Sequence, residues 1–145
     1  MAKKPLSQLV GKLSPQEFEK MAEASKAALG SLEVEYLDVT LEQIATLATQ
    51  YLALSNETAQ QAEEAYRIAH DIKGQGATFG YDVISKIAHS LCLLIRGHEG
   101  MSTTAYAKHA LAHCEAMKAV IDKRIRGDGG EYGRNLLHIL SGRPS

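Results

Sequence analysis

Residues 56–80 read NETAQQAEEAYRIAHDIKGQGATFG, and their periodicity decides the fold. Ala62, Ala65, Ala69, Ile72, Gly76 and Phe79 recur at alternating steps of three and four, the spacing of one helix face. Asn56 is placed to cap this helix and Gly80 to end it. His70 falls about 130° from the middle of the apolar stripe, so it should face solvent. Lys73 and Gly74, three and four residues on, are its surface neighbours. Gly74 and Gly76 each cost a helix interior about 1 kcal/mol relative to alanine, so each needs a reason. Gly76 lies on the buried stripe, where a missing side chain allows close helix packing. Gly74 lies on the outward face, where it clears the surface for another macromolecule to reach the imidazole.

Helical patterns continue on both sides. Ser14-Pro15-Gln16-Glu17 has the form of a capping box, followed by Phe18, Met21, Ala22, Ser25 and Leu29, with Gly30 as a stop. Residues 31–39 read as a connector, and Thr40 as the cap of a second helix carrying Leu41, Ile44, Ala45, Ala48, Tyr51 and Leu52. After the quoted stretch, Asp82 reads as the cap of a helix with Ile84, Ile87, Ala88, Leu91, Leu94 and Ile95 inward. Ser102 or Thr103 opens another that reaches about Arg126. Gly127-Asp128-Gly129-Gly130 breaks the chain before a short last helix, and nothing reads as a strand ladder. The expected fold is all-α: an antiparallel up-and-down four-helix bundle over about 40–126, with an extra N-terminal lid helix over about 14–30 and a C-terminal helix over about 131–141.

The chain has 145 residues, a size that forms one domain with a real core. Sixteen basic residues against seventeen acidic ones, with no block of like charge, argue against nucleic acid as a partner. The longest apolar run, Leu91–Ile95, is far below the ~20 residues that cross a bilayer. Met1 to Pro5 has no apolar segment behind it, so no secretion signal is read. Cys92 and Cys114 lie within apolar helical patterns, which suits free thiols in a reducing cytoplasm.

An exposed histidine with a lysine and a cleared surface beside it suits phosphoryl chemistry. A neutral imidazole nitrogen is a nucleophile near neutral pH, and an ammonium neutralises transferred phosphoryl oxygens. No glycine-rich nucleotide cradle is present, so the group would have to come from another protein. At this point the residues resemble the histidine-containing phosphotransfer (HPt) domain family: His70, Lys73 and Gly74 in the HxxKG pattern, with Gly80 ten residues after the histidine. The run Ala77-Thr78-Phe79-Gly80-Tyr81 is most similar to the phosphotransfer domain of chemotaxis-type histidine kinases.

The resemblance implies that His70 carries the phosphoryl group, on Nε2, that Lys73 contacts it, and that Gly74 admits a receiver domain whose aspartate exchanges it. It also implies that the next helix backs the site. Ser85, His89, Cys92 and Arg96 share a stripe there; His89 matches a histidine of the chemotaxis kinases, and Arg96 a basic position of some relay members. One departure is Cys92, where the family usually has Glu or Gln to hold the imidazole Nδ1. Glu63 and Arg67 form a solvated rim on the outward face and, with Gly74 and Ala77, are candidate partner contacts. The implied function is a phosphorelay intermediate, a carrier rather than an enzyme, without cofactor or metal and needing no oligomer. Its partners would be a receiver domain and a histidine kinase on another chain. Two rivals stand beside it: a non-phosphorylated adaptor, motivated by Cys92, and a metal-binding bundle using His109, His113 and Cys114.

Overall fold

The computed structural model describes residues 14–142, so Met1 to Pro5 and Pro144 lie outside the described part. Among the described residues there are five helices and no strand: α1 Pro15–Leu52, α2 Ala59–Thr78, α3 Asp82–Arg96, α4 Thr103–Asp122 and α5 Gly130–Ser141. The chain divides into two compact units, with the boundary between Glu35 and Tyr36.

In the first unit Ser14 caps α1, its Oγ accepting from the Glu17 N–H at 3.1 Å, with Pro15 at the first helical position. Phe18, Met21, Leu29 and Leu32 are exposed along this stretch. The separate helix expected over about 14–30 does not form, because Gly30 lies inside α1 and residues 31–39 are helical. A single mid-helix glycine costs about 1 kcal/mol, which the alanine- and leucine-rich flanks absorb. Leu32, Tyr36, Thr40, Ile44, Leu47 and Tyr51 keep helical spacing straight through the supposed connector. Thr40 is therefore not a cap; it is buried mid-helix, and its hydroxyl donates to the Tyr36 carbonyl at 2.8 Å.

The second unit is the bundle. Tyr36, Leu37, Ile44, Leu47 and Tyr51 of α1 join a core with Ala65, Ala69 and Ile72 of α2, Ile84, Ile87 and Leu91 of α3, and Ala110, Met117 and Val120 of α4. Short connectors alternate the helix directions, and ring contacts mark the two ends. At one end Tyr51 and Tyr106 share a hydroxyl–hydroxyl bond of 2.9 Å. At the other, the Tyr36 ring lies 4.5 Å from Phe79 and 5.6 Å from Tyr81.

Boundaries follow local chemistry: Asp82 is not a cap but the first residue of α3, where its carboxylate suits the helix N-terminus, and the cap position falls at Tyr81 with no side-chain bond. Thr58, not Asn56, caps α2 through a reciprocal box with Gln61, at 3.1 and 2.9 Å. Gly80, at φ +79°, closes α2 in a left-handed C-terminal motif, with the Tyr81 N–H donating to the Gly76 carbonyl at 2.8 Å. Helix α4 stops at Asp122 rather than near Arg126 because Arg124 takes the same left-handed role at φ 50°, and the Ile125 N–H reaches the Val120 carbonyl at 3.0 Å. No glycine marks that turn in the sequence.

Candidate functional site

Helices α2 and α3 are joined by the three residues 79–81 and pack closely. A Cβ on Gly76 would meet the Ser85 nitrogen and the Tyr81 carbonyl oxygen, each at 3.1 Å, so this glycine sets how near α3 comes. Along the resulting seam, Ser85 donates its hydroxyl to the Lys73 carbonyl at 2.7 Å. One turn on, the Lys73 ammonium donates to His89 Nδ1 at 3.1 Å. Towards the end of α3, Arg96 Nη1 meets Glu63 Oε1 at 2.6 Å. Ser85, His89 and Arg96 of the α3 stripe thus each bond to α2.

His70 is exposed on the outer side of α2, and among the described residues no hydrogen bond reaches its ring. Among the described residues its ring contact is Tyr66, with centroids 6.1 Å apart and planes 25° apart. The Arg96 guanidinium carbon lies 3.8 Å above the Tyr66 ring. Gln60, Glu63, Glu64, Tyr66, Arg67, His70 and Arg96 line one open depression of about 540 Å³. Gly74, one turn beyond His70, is exposed, and a methyl group there would meet no atom within 4 Å. Ala77 is exposed on the following turn. Arg67 pairs with Asp71 at 3.4 Å and Glu64 at 3.9 Å, as a solvated rim.

Cys92 is buried, and burial raises its thiol pKa against the opposing pull of Lys73 and Arg96. The thiol is a filler of the α2–α3 seam with two cations nearby. His89 Nδ1 is taken by Lys73, and among the described residues His89 makes no hydrogen bond to His70. The hydrogen bond to Glu63 is the largest influence on Arg96 and raises its guanidinium pKa further.

Sequence reading passed over Tyr66. Its signal was available: an aromatic four residues before His70 lies over the same turn of the helix. The other histidine pair builds a different environment. His113 is fully buried, its Nδ1–H donating to the His109 carbonyl and its Nε2 accepting from the Ser90 hydroxyl, each at 2.8 Å. Burial pushes its pKa down to about 4, and burial pushes the Cys114 thiol up to about 12. Both His113 nitrogens are engaged within the protein, and among the described residues no three potential metal ligands come together.

A family model described as Hpt domain matches residues 32–123. That span runs from the second half of α1 to the end of α4 and includes every residue of the seam just described. No curated protein and no solved structure matches the chain.

Proposed function

The chain belongs to the Hpt domain family, and from that premise we propose that it is a phosphorelay carrier that takes up and returns a phosphoryl group on His70. In the forward step an unprotonated ring nitrogen attacks the phosphorus of an aspartyl phosphate on a receiver domain. A P–N bond forms, the P–O bond breaks, and the aspartate leaves as a carboxylate. The other ring nitrogen keeps its proton, and the reverse step returns the group to an aspartate. Transfer of this kind is largely positioning and charge neutralisation, which Lys73, half-buried and fixed by His89, is placed to supply one turn from His70.

The observation that carries the reading is the pairing of an exposed His70, free of hydrogen bonds among the described residues, with the open surface at Gly74. Nothing inside the bundle explains a glycine there, whereas an incoming receiver does. Gly74 and Ala77 on α2 form the approach, with Glu63 and Arg67 at the rim. A protein with this chemistry supplies no phosphoryl donor of its own, so a histidine kinase and a receiver are its partners. None of the described helices is long and apolar enough to cross a membrane.

The test is to incubate the protein with a phosphorylated receiver domain and seek acid-labile, base-stable phosphate, with His70→Gln as control. Label that is lost in the variant and chases onto fresh receiver establishes the carrier. Receiver binding without label would instead assign the adaptor role that the cysteine at position 92 motivates.

A further inference from the structure

Arg96 shares the depression with His70 but is committed elsewhere. Its Nη1 lies 2.6 Å from Glu63 Oε1, and its guanidinium carbon sits 3.8 Å over the ring of Tyr66. Tyr66 in turn stacks beside the imidazole. Glu63, Tyr66 and His70 follow one another on α2 at steps of three and four, so one helix face carries the acid, the ring and the acceptor in line.

We propose that this is an exchangeable latch: Glu63 and Tyr66 hold Arg96 in the unmodified protein, and a phosphoryl group on His70 takes the guanidinium over from Glu63. The inference rests on the reading of His70 as phosphoryl carrier. Both members of the ion pair are more than half exposed, at 53% and 64%, so water and salt weaken it. A phosphoryl group brings close to two negative charges and three acceptor oxygens, which the planar guanidinium fork matches better than it matches one carboxylate oxygen. The guanidinium meets Tyr66 through its central carbon and Glu63 through Nη1, so the ring can remain a platform on which the fork changes partner. Glu63 is then a positioning residue that acts through Arg96: it competes with the phosphoryl group and sets the balance between phosphorylated His70 and phosphorylated receiver.

The experiment mixes the full chain with a phosphorylated receiver domain and reads the equilibrium ratio of phosphohistidine to aspartyl phosphate. The native protein must carry label that His70→Gln abolishes; if it does not, the carrier reading itself fails. With label present, Glu63→Gln should raise the ratio about two- to five-fold, the range set by removing one surface ion pair as competitor. Arg96→Ala should lower it, and Arg96→Lys should restore part of it. In the Arg96→Ala background, Glu63→Gln should lose most of its effect. An equal effect of Glu63→Gln with and without Arg96 would report bulk charge alone and overturn the latch, as would no effect at all. A role confined to folding would move the melting temperature and leave the ratio unchanged, which also overturns it.

Discussion

Replacing Gly74 by alanine should make the protein more stable and a poorer phosphoryl carrier. Alanine is the better helix former by about 1 kcal/mol, and the structure offers no atom within 4 Å to oppose the added methyl group. For a chain of 145 residues the unfolding entropy implies a rise of about 3 °C in melting temperature per kcal/mol. The same substitution two residues on should have the opposite sign. At Gly76 the methyl would press to 3.1 Å on the main chain of Tyr81 and Ser85, which cannot rotate away. Overpacking of that kind costs about 1–3 kcal/mol and outweighs the gain in helix propensity. Thermal melting followed by circular dichroism reads the first quantity, and the rate of label transfer from a phosphorylated receiver reads the second. If Gly74→Ala melts lower than the native protein, the surface there is not open as described. If it melts higher and transfers label at the native rate, the glycine has no docking role and the argument for its placement is wrong.

Two further outcomes follow from buried polar groups. His113 has an ordinary pKa of 6.5 when unfolded and about 4 in the fold, so well above pH 6.5 both states are neutral and nothing is lost. As pH falls from 6.5 towards 4 the unfolded chain takes up the proton first, and stability should drop by about 2.5 kcal/mol at pH 4.5. Urea unfolding at pH 7 and pH 4.5 checks this, and His113→Gln should shrink the difference between the two pH values by that amount. Tyr106 donates to both oxygens of Glu57, at 3.1 and 3.0 Å, and the Glu57 side chain is only 6% exposed. Tyr106→Phe should therefore cost about 1.5–3 kcal/mol in urea unfolding, while Tyr51→Phe, which keeps the Tyr106–Glu57 bonds, should cost less.

The helical bundle was legible because the apolar spacing of the second half of α1, of α2 and of α3 is regular and long. What escaped was punctuation. Gly30 and the polar stretch after it look like a stop, yet Gly30 keeps the helical conformation inside α1, whereas Gly80 closes α2 by turning left-handed at φ +79°. The end of α4 was missed for the converse reason, since an arginine fills the left-handed position. In the site, spacing placed His70, Lys73 and Gly74 on one face of α2 and Ser85, His89, Cys92 and Arg96 on one stripe of α3, and the family resemblance supplied the expectation that this stripe backs the site. Periodicity does not say which neighbour a long side chain selects. That Lys73 turns to His89, that Arg96 turns to Glu63, and that Arg96 lies over the Tyr66 ring depend on the distance between two helices, a quantity no single helix encodes.

That distance is where fold and proposed function meet. With no side chain at Gly76, α3 approaches until its backbone is in contact range of α2, and three polar links form along the seam: Ser85 to the Lys73 carbonyl, Lys73 to His89, and Arg96 to Glu63. The last of these holds Arg96 in the depression that His70 also lines, and the imidazole itself stays unbonded among the described residues. A carrier must hold its phosphoryl group loosely enough to return it, so the groups around His70 should be ordered by one another and not by the histidine. Widening the seam at Gly76 should therefore act on transfer even in a variant that remains folded, because it separates Lys73 from His89 and Arg96 from Glu63 together. Gly74→Ala leaves those links intact and closes only the approach. Native-like exchange with receiver in a folded Gly76→Ala protein would show that the seam does not set the site.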